Sequence, residues 1–289
     1  MMKHVRLILT VFVLSASFVM AVVFQTFAAG PLVSKPGNKH NLSAANTGVT
    51  YRARSLADDP ANVRGQEICI FCHTPHNANV EGGAPLWNRK FNTLTFQRYS
   101  GSTLFVIKNN SNANYGTAGQ RNFQPDGSSK LCLSCHDGVS SLGAVKNGSP
   151  IAMVSDVITG FASFNPADAA NKMRYGHHPI SFVYDGSVAS AINLVKGADS
   201  YKFPPSLPAV KLDRQGKMQC TTCHNAHQNQ SDDNTFYPSP NDTRKVAPFW
   251  VYGAGGAATA SDDQQSVCTA CHPMDAGAVP PLVTPGLWP

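Results

Sequence analysis

Cys69-Ile-Phe-Cys72-His73 is the first of four pentapeptides of the form Cys-x-x-Cys-His in this chain. We number them motifs 1 to 4 in chain order, and the others are Cys132-Leu-Ser-Cys135-His136, Cys220-Thr-Thr-Cys223-His224 and Cys268-Thr-Ala-Cys271-His272. Such a pentapeptide is the attachment sequence of c-type haem, in which two thiols bond the porphyrin and the next imidazole binds the iron. The sequence therefore predicts four covalent haems, with proximal iron ligands His73, His136, His224 and His272.

The motifs use all eight cysteines of the chain, which bears on two alternative interpretations. An exported chain with an even number of cysteines could be a disulfide-stapled protein, but disulfides do not require a histidine after each pair. A zinc ribbon would pair the motifs two by two, and it also leaves the four histidines without a role. Four repeats with no cysteine left over favour haem attachment.

The N-terminus has the pattern of a secretory signal peptide. Lys3 and Arg6 precede an apolar run of 18 residues from Leu7 to Phe24, and small residues follow it. We expect cleavage after Ala28, or after Ala29, and so assign residues 1–28 to the signal peptide. The run is only just long enough to span a bilayer, so an uncleaved anchor is the alternative. Export agrees with covalent haem, which is attached outside the cytoplasm.

The composition does not suit an ordinary layered core. Charged residues make up 14% of the chain, and it contains 23 glycines and 20 prolines. Long loops are unusual in a compact domain because little buried surface offsets their ordering, but haems would supply that apolar surface. We expect a mostly irregular multihaem cytochrome c, with few short helices and minor strands wrapped around four haems. Residues 29–66 would form an extended N-terminal arm and residues 67–289 one tetrahaem domain.

Local signals predict a few regular elements between the motifs. Residues 180–184 alternate between polar and apolar as a short strand would. Asp126-Gly127 and Asp185-Gly186 are typical turn dipeptides.

The positive charge of the chain does not indicate a nucleic-acid partner. The formal net charge is +6, and it falls to +4 when Lys3 and Arg6 leave with the signal peptide. Each oxidised bis-histidine haem with ionised propionates adds one negative charge, so the holoprotein is near neutral. We therefore predict no nucleic-acid binding, and a poorly charged surface favours self-association.

The sixth ligand of each iron decides between electron transfer and catalysis. Apart from His4 and the motif histidines, five histidines remain as candidate distal ligands: His40, His76, His177, His178 and His227. His76 and His227 each follow a motif histidine by three residues, too close to reach the far face of the same haem, so each should bind a neighbouring one. His178 is preferred to His177 because Pro179 fixes its backbone, although the two could serve different irons. His40 suits a more distant haem.

Methionine is the alternative sixth ligand and raises the potential. Met153, Met173, Met218 and Met274 are available, but histidines are in excess. Bis-histidine irons carry electrons and have no open position, so we do not expect an enzyme.

Several segments together resemble the OmcE-type outer-surface tetrahaem c-type cytochromes of metal-reducing bacteria, a filament-forming family. They are Cys-Ile-Phe-Cys-His-Thr-Pro-His-Asn-Ala (69–78), Ala-Pro-Leu-Trp-Asn (84–88), Cys-Leu-Ser-Cys-His-Asp-Gly (132–138), Gly-His-His-Pro-Ile (176–180) and Cys-Thr-Thr-Cys-His-Asn-Ala-His (220–227). The resemblance implies bis-histidine haems in a continuous chain and head-to-tail polymers. In these polymers one haem takes its distal histidine from the adjacent subunit, and here that ligand would be His76 or His40.

These expectations lead to three functional hypotheses. The first is an exported cytochrome at the cell surface or outside the cell, polymerised as a conductive filament, that takes electrons from redox partner proteins to extracellular acceptors in anaerobic respiration. The second is a monomeric periplasmic shuttle with the same haems. The third is a multihaem reductase, which would need an iron without a sixth ligand.

Overall fold

A computed structural model describes the greater part of the chain. The described residues are 33–34, 36–80, 86–97, 122–168, 173, 178–227, 249–251 and 267–272. All of them belong to one compact unit, Val33–Pro289. The predicted signal peptide, residues 1–28, lies outside the described residues.

Regular secondary structure is sparse in the described part of the chain. The helices are α1 (Gly127–His136), α2 (Gly186–Lys196) and the single turn α3 (Cys220–Cys223), and there are 3₁₀ turns at Val63–Gln66, Cys69–Phe71 and Gly160–Ala162. The strands are β1 (Phe96–Gln97), β2 (Asn122–Phe123), β3 (Phe182–Val183) and β4 (Lys217–Met218). They form two antiparallel pairs, β1 with β2 and β3 with β4. The few helices and little sheet agree with an irregular fold, and β3 lies within the predicted strand 180–184.

The two Asp-Gly dipeptides predicted as turns are helix starts instead. Asp126 and Asp185 are the N-cap residues of α1 and α2, each with extended backbone. The Asp185 carboxylate accepts hydrogen bonds from the backbone N–H groups of Ser187 and Val188, which is the usual role of an N-cap aspartate. The turn prediction was wrong because Asp-Gly starts helices as well as turns, and the residues that follow decide between them.

The segment predicted as an extended arm is not free over its described part, 36–66. Leu42, Ala44 and Ala53 are buried in one cluster with Phe71 beside motif 1. Ala53 forms an antiparallel bridge with Met153, roughly a hundred residues further along the chain. The prolines and glycines of this segment, among them Pro36, Gly37 and Gly48, predicted an extended arm, but its described residues pack beside motif 1. The buried asparagines at 38, 41 and 46 instead satisfy one another and the local backbone by hydrogen bonds.

The apolar core is divided among four small clusters, and each one contacts motif cysteines. The first, around Phe71 and Leu142, contacts Cys72 and Cys135. The others contact Cys271, Cys220 and Cys223 respectively. The core is thus distributed along the motifs.

No helix among the described residues is both long and apolar enough to cross a membrane.

Candidate functional site

Each motif lies on a short helical element. Motif 1 begins with the 3₁₀ turn Cys69–Phe71, motif 2 ends α1, motif 3 begins with α3, and motif 4 begins within the helical residues 267–269. Residues three apart on a helix share a face, so the two thiols of each motif are presented together. All eight cysteines are free thiols rather than disulfides.

The four motifs contact one another in the order of the chain. Burial and the charge of Cys135 raise the pKa of the Cys72 thiol to about 12, which links motifs 1 and 2. Cys132 and Cys220 share a side-chain hydrogen bond, which links motifs 2 and 3. Cys223 of motif 3 packs against the cluster that contains Ala270, a spacer residue of motif 4. The four motifs therefore form one continuous series.

A buried polar network holds α1 against α3, and with them motifs 2 and 3. The Ser129 hydroxyl donates to Oε1 of Gln219 at 2.6 Å and accepts from the Cys220 backbone N–H at 3.0 Å. The amide nitrogen of Gln219 donates to the carboxylates of Asp126 and Asp213, both at 2.9 Å. Because Gln219 is 2% exposed, these bonds are shielded from water and fix the spacing of the two motifs.

Motif histidines face candidate distal histidines in three places. The ring centroids of His136 and His40 lie 6.2 Å apart, and those of His73 and His227 lie 6.1 Å apart. His178 and His272 are close enough to interact electrostatically. Each pair joins one motif histidine to a candidate from a distant part of the chain.

These separations fit two imidazoles that share one metal ion. An imidazole nitrogen binds a first-row metal at about 2.0 to 2.1 Å, so two rings on opposite sides of one ion have centroids about 6 Å apart. A haem iron takes its other ligands from the porphyrin and needs only these two from the protein. Among the described residues, no group of three or more His, Cys, Asp or Glu side chains is placed to hold a metal ion directly.

Hydrogen bonds to backbone carbonyls orient three of these imidazoles. Nδ1 of His136 donates to the Ala162 oxygen at 2.8 Å, Nδ1 of His40 to the Ala226 oxygen at 3.0 Å, and Nδ1 of His178 to the Pro179 oxygen at 2.8 Å. A ring that donates from Nδ1 has its Nε2 lone pair available, which is the usual arrangement of a metal-binding histidine.

Burial also keeps the His40 ring neutral. It lowers the pKa of His40 to about 4, and the charge of His136 lowers it further while the bond to Ala226 opposes the shift. Burial likewise lowers the pKa values of His136 and His178. Neutral imidazole is the form that binds iron, so these side chains are in the required state near neutral pH.

The remaining two candidate distal ligands are His76 and His177. His76 is exposed, and its ring lies near the Asn147 side-chain amide at 3.5 Å. No other histidine ring contacts it in the part of the chain that the structure describes. His177 lies outside the described residues. The methionines considered as alternative ligands include Met153, Met173 and Met218, which are buried in the apolar clusters, and Met274, which lies outside the described residues.

Two tryptophans beside motif histidines were missed by the sequence analysis. Trp87 forms an antiparallel bridge with His73, and Trp250 forms the same bridge with His224. The indole of Trp250 also stacks on the His224 imidazole, with ring centroids 4.5 Å apart. Both tryptophans end an Ala-Pro-x-Trp sequence, at 84–87 and 247–250, and this repeat was the signal that could have identified them.

The two tryptophan segments also match in backbone conformation. Leu86 and Phe249, directly before the tryptophans, both have positive φ, 60° and 72°. Each segment also bonds to the same places in its motif: Asn88 N–H donates to the Cys72 oxygen, and Val251 N–H donates to the Cys223 oxygen. Motifs 1 and 3 are therefore the same local unit used twice, and the histidine three residues after each motif is part of that unit.

No protein-family model matches the chain, and no curated protein matches it either.

Proposed function

We propose that this protein is an exported tetrahaem c-type cytochrome that carries electrons through bis-histidine haems to extracellular acceptors, polymerised as a conductive filament. The observation that carries the proposal is the continuous series of four attachment motifs, with candidate distal histidines against the motif histidines. A carrier needs such a series because each electron must pass from one cofactor to the next.

The residues divide into attachment and ligand groups. The two cysteines of each motif bind one porphyrin, and the following histidine binds its iron. The ring distances support His227 as the sixth ligand at motif 1 and His40 at motif 2. We assign His178 to motif 4 because it interacts electrostatically with His272. Haem supplies reversible one-electron chemistry, and two imidazoles leave no position for a substrate. The protein thus transfers electrons and is not an enzyme.

The proposed filament requires an exposed histidine that can bind a haem of the adjacent subunit. His40 and His76 were the two candidates for a ligand donated to an adjacent subunit. His40 is half-buried and lies against His136, whereas His76 is exposed, so we assign the donated ligand to His76. A head-to-tail contact that does not close into a ring propagates as a filament, and a donated ligand would place haems of adjacent subunits next to each other.

Electron microscopy of the purified holoprotein, with a His76→Ala variant, tests this proposal. We expect filaments from the wild type, and from the variant monomers that keep four haems, with one iron high-spin. His40→Ala is the matched control, because it should also create one high-spin iron but leave the filaments intact. Filaments from His76→Ala with all irons low-spin would contradict the donated ligand.

The same experiment distinguishes the other two hypotheses. Discrete wild-type monomers with four low-spin haems would indicate the periplasmic shuttle. A wild-type carbon monoxide difference spectrum reports an open iron, which a multihaem reductase requires. We expect the wild type not to bind the gas.

A further inference from the structure

A buried arginine lies between motifs 1 and 2, and no carboxylate of the described residues pairs with it. Arg89 is 1% exposed. Its guanidinium donates to three backbone carbonyl oxygens, those of Ser134 at 3.0 Å, Leu142 at 2.8 Å and Ser141 at 2.6 Å. Ser134 is one of the two spacer residues of motif 2, so the guanidinium holds this attachment loop directly.

The residue before Arg89 holds motif 1 in the same way. The side-chain amide of Asn88 donates to the oxygen of Ile70, a spacer residue of motif 1, at 2.6 Å. Asn88 is also fully buried. Two consecutive residues thus bind two consecutive attachment motifs, which places the Arg89 charge at the junction between them.

The positive charge has no ion-pair partner within 4 Å among the described residues. The only ion pair found there joins Lys217 to Asp126. A buried carboxylate, Asp137, directly follows motif 2. It accepts hydrogen bonds from the side chains of Asn92 and Ser140 and from two backbone N–H groups. Taking an unpaired charge out of water costs free energy. The burial of an arginine at this position therefore indicates that the charge itself has a role.

We infer that Arg89 is a fixed positive charge that raises the reduction potential of the haem held by motif 1, and to a smaller extent that of motif 2, where Asp137 opposes it. This inference rests on the proposed function. Reduction adds one electron to ferric iron and gives ferrous iron, and a nearby positive charge stabilises the reduced state. The charge lies beside both attachment motifs, since the guanidinium binds the Ser134 oxygen of motif 2 and the adjacent Asn88 binds the Ile70 oxygen of motif 1.

Asp137 distinguishes the two sites. It directly follows His136, the proximal histidine of motif 2, and its side chain is buried. The negative charge of Asp137 therefore opposes that of Arg89 more strongly at motif 2 than at motif 1. In the second copy of the local unit, the position that corresponds to Arg89 is Tyr252, which is uncharged, so motif 3 has no counterpart of this charge.

Coulomb's law sets the size of the expected effect. With an effective dielectric constant of about 20, a unit charge would change the equilibrium constant for reduction by roughly tenfold at a separation of about 12 Å. For a one-electron couple that is a shift of about 59 mV. Such a shift in one haem of four is resolved by a potentiometric titration.

The test compares Arg89→Gln and Arg89→Met, which remove the charge, with Arg89→Lys, which keeps it. Arg64→Met is the matched control, since Arg64 also donates to two backbone carbonyls, at 2.7 and 2.6 Å, but is only half-buried. Haem content is measured first by pyridine haemochrome, and then the midpoint potentials. We expect a downward shift of one haem in either uncharged variant and wild-type potentials in Arg89→Lys and Arg64→Met.

Three results would overturn the inference or its basis, and they are distinguishable. Unchanged potentials in an uncharged variant that keeps four haems would show that the charge is not used. An equal shift in Arg89→Lys would show that the hydrogen-bond geometry, and not the charge, sets the potential. A wild type with fewer than four haems would instead refute the proposed function. If both uncharged variants fail to mature, Asp137→Asn is measured in their place, and the absence of an upward shift at one haem would count against electrostatic tuning at this junction.

Discussion

Replacement of His40 by alanine should convert one quarter of the haem from low-spin to high-spin. The His40 ring faces that of His136 at a centroid separation of 6.2 Å, and its Nδ1 is held by the Ala226 oxygen. The alanine side chain cannot reach the iron, so the haem of motif 2 keeps His136 and loses its sixth ligand. Since the sequence contains four motifs, one iron in four is affected.

The assay is absorption spectroscopy of the purified holoprotein, with haem counted by pyridine haemochrome. We expect four haems, one quarter of them high-spin and able to bind carbon monoxide, and recovery of the low-spin spectrum on addition of free imidazole. Phe249→Leu is the matched control, because Phe249 stacks on the His40 ring at 4.2 Å but offers no ligand atom. This variant should remain fully low-spin.

Four low-spin haems and no carbon monoxide binding in His40→Ala would show that His40 is not the sixth ligand at motif 2. A replacement ligand could produce the same spectrum, but a methionine in its place would raise the potential of that haem, and a titration would reveal it. The double variant with His227→Ala provides a second check. His227 faces His73 and not His136, so the two losses should add to one half of the haem.

Two further predictions concern stability. Ser129→Ala removes a buried hydroxyl that bonds both to Gln219, before motif 3, and to Cys220, the first residue of that motif. It should lower the free energy of unfolding, measured by urea titration, by about 1 to 3 kcal/mol. The control Ser128→Ala removes a hydroxyl with a single side-chain bond on the α1 surface and should change the free energy of unfolding by less than about 0.5 kcal/mol. The pKa of the N-cap Asp185 is lowered chiefly by the hydrogen bond from the Ser187 side chain. The Asp185 charge therefore stabilises the fold above the unfolded pKa of about 3.9, and this stabilisation is lost as the pH falls through the lower folded pKa. The wild type and Asp185→Asn should differ in melting temperature at neutral pH but not in acid, and a difference that grows in acid would contradict the assignment.

Features that depend on neighbours in the chain were accessible from the sequence. Cysteines three apart share a helix face wherever the local backbone is helical, and a histidine three residues after a motif cannot turn back to the same haem. The expectation of sparse secondary structure likewise followed from composition. The Asp-Gly dipeptides show the limit of local signals, because the same two residues begin a turn or a helix according to what the following side chains can bury.

Features that depend on pairing between distant residues were not accessible. Residues 29–66 were expected to be an arm because of their prolines and glycines, but in the described residues 36–66 the asparagines are satisfied internally and the apolar residues pack beside Phe71. His40 was expected to suit a more distant haem, and it lies against His136 of motif 2, nearly a hundred residues away in the chain, but the sequence could not identify that partner. Arg89 was not recognised at all, because nothing near it in sequence distinguishes a buried arginine from an exposed one.

The sequence by itself determines the local geometry of the four motifs, since bond lengths and helix geometry alone bring two thiols and an imidazole of neighbouring residues together. The order in which the motifs meet, the histidine that faces each of them and the isolation of the Arg89 charge depend on how the loops pack. Those contacts join segments far apart in the chain, and their free energy comes from burial and hydrogen bonding of the folded whole, which no local pattern specifies.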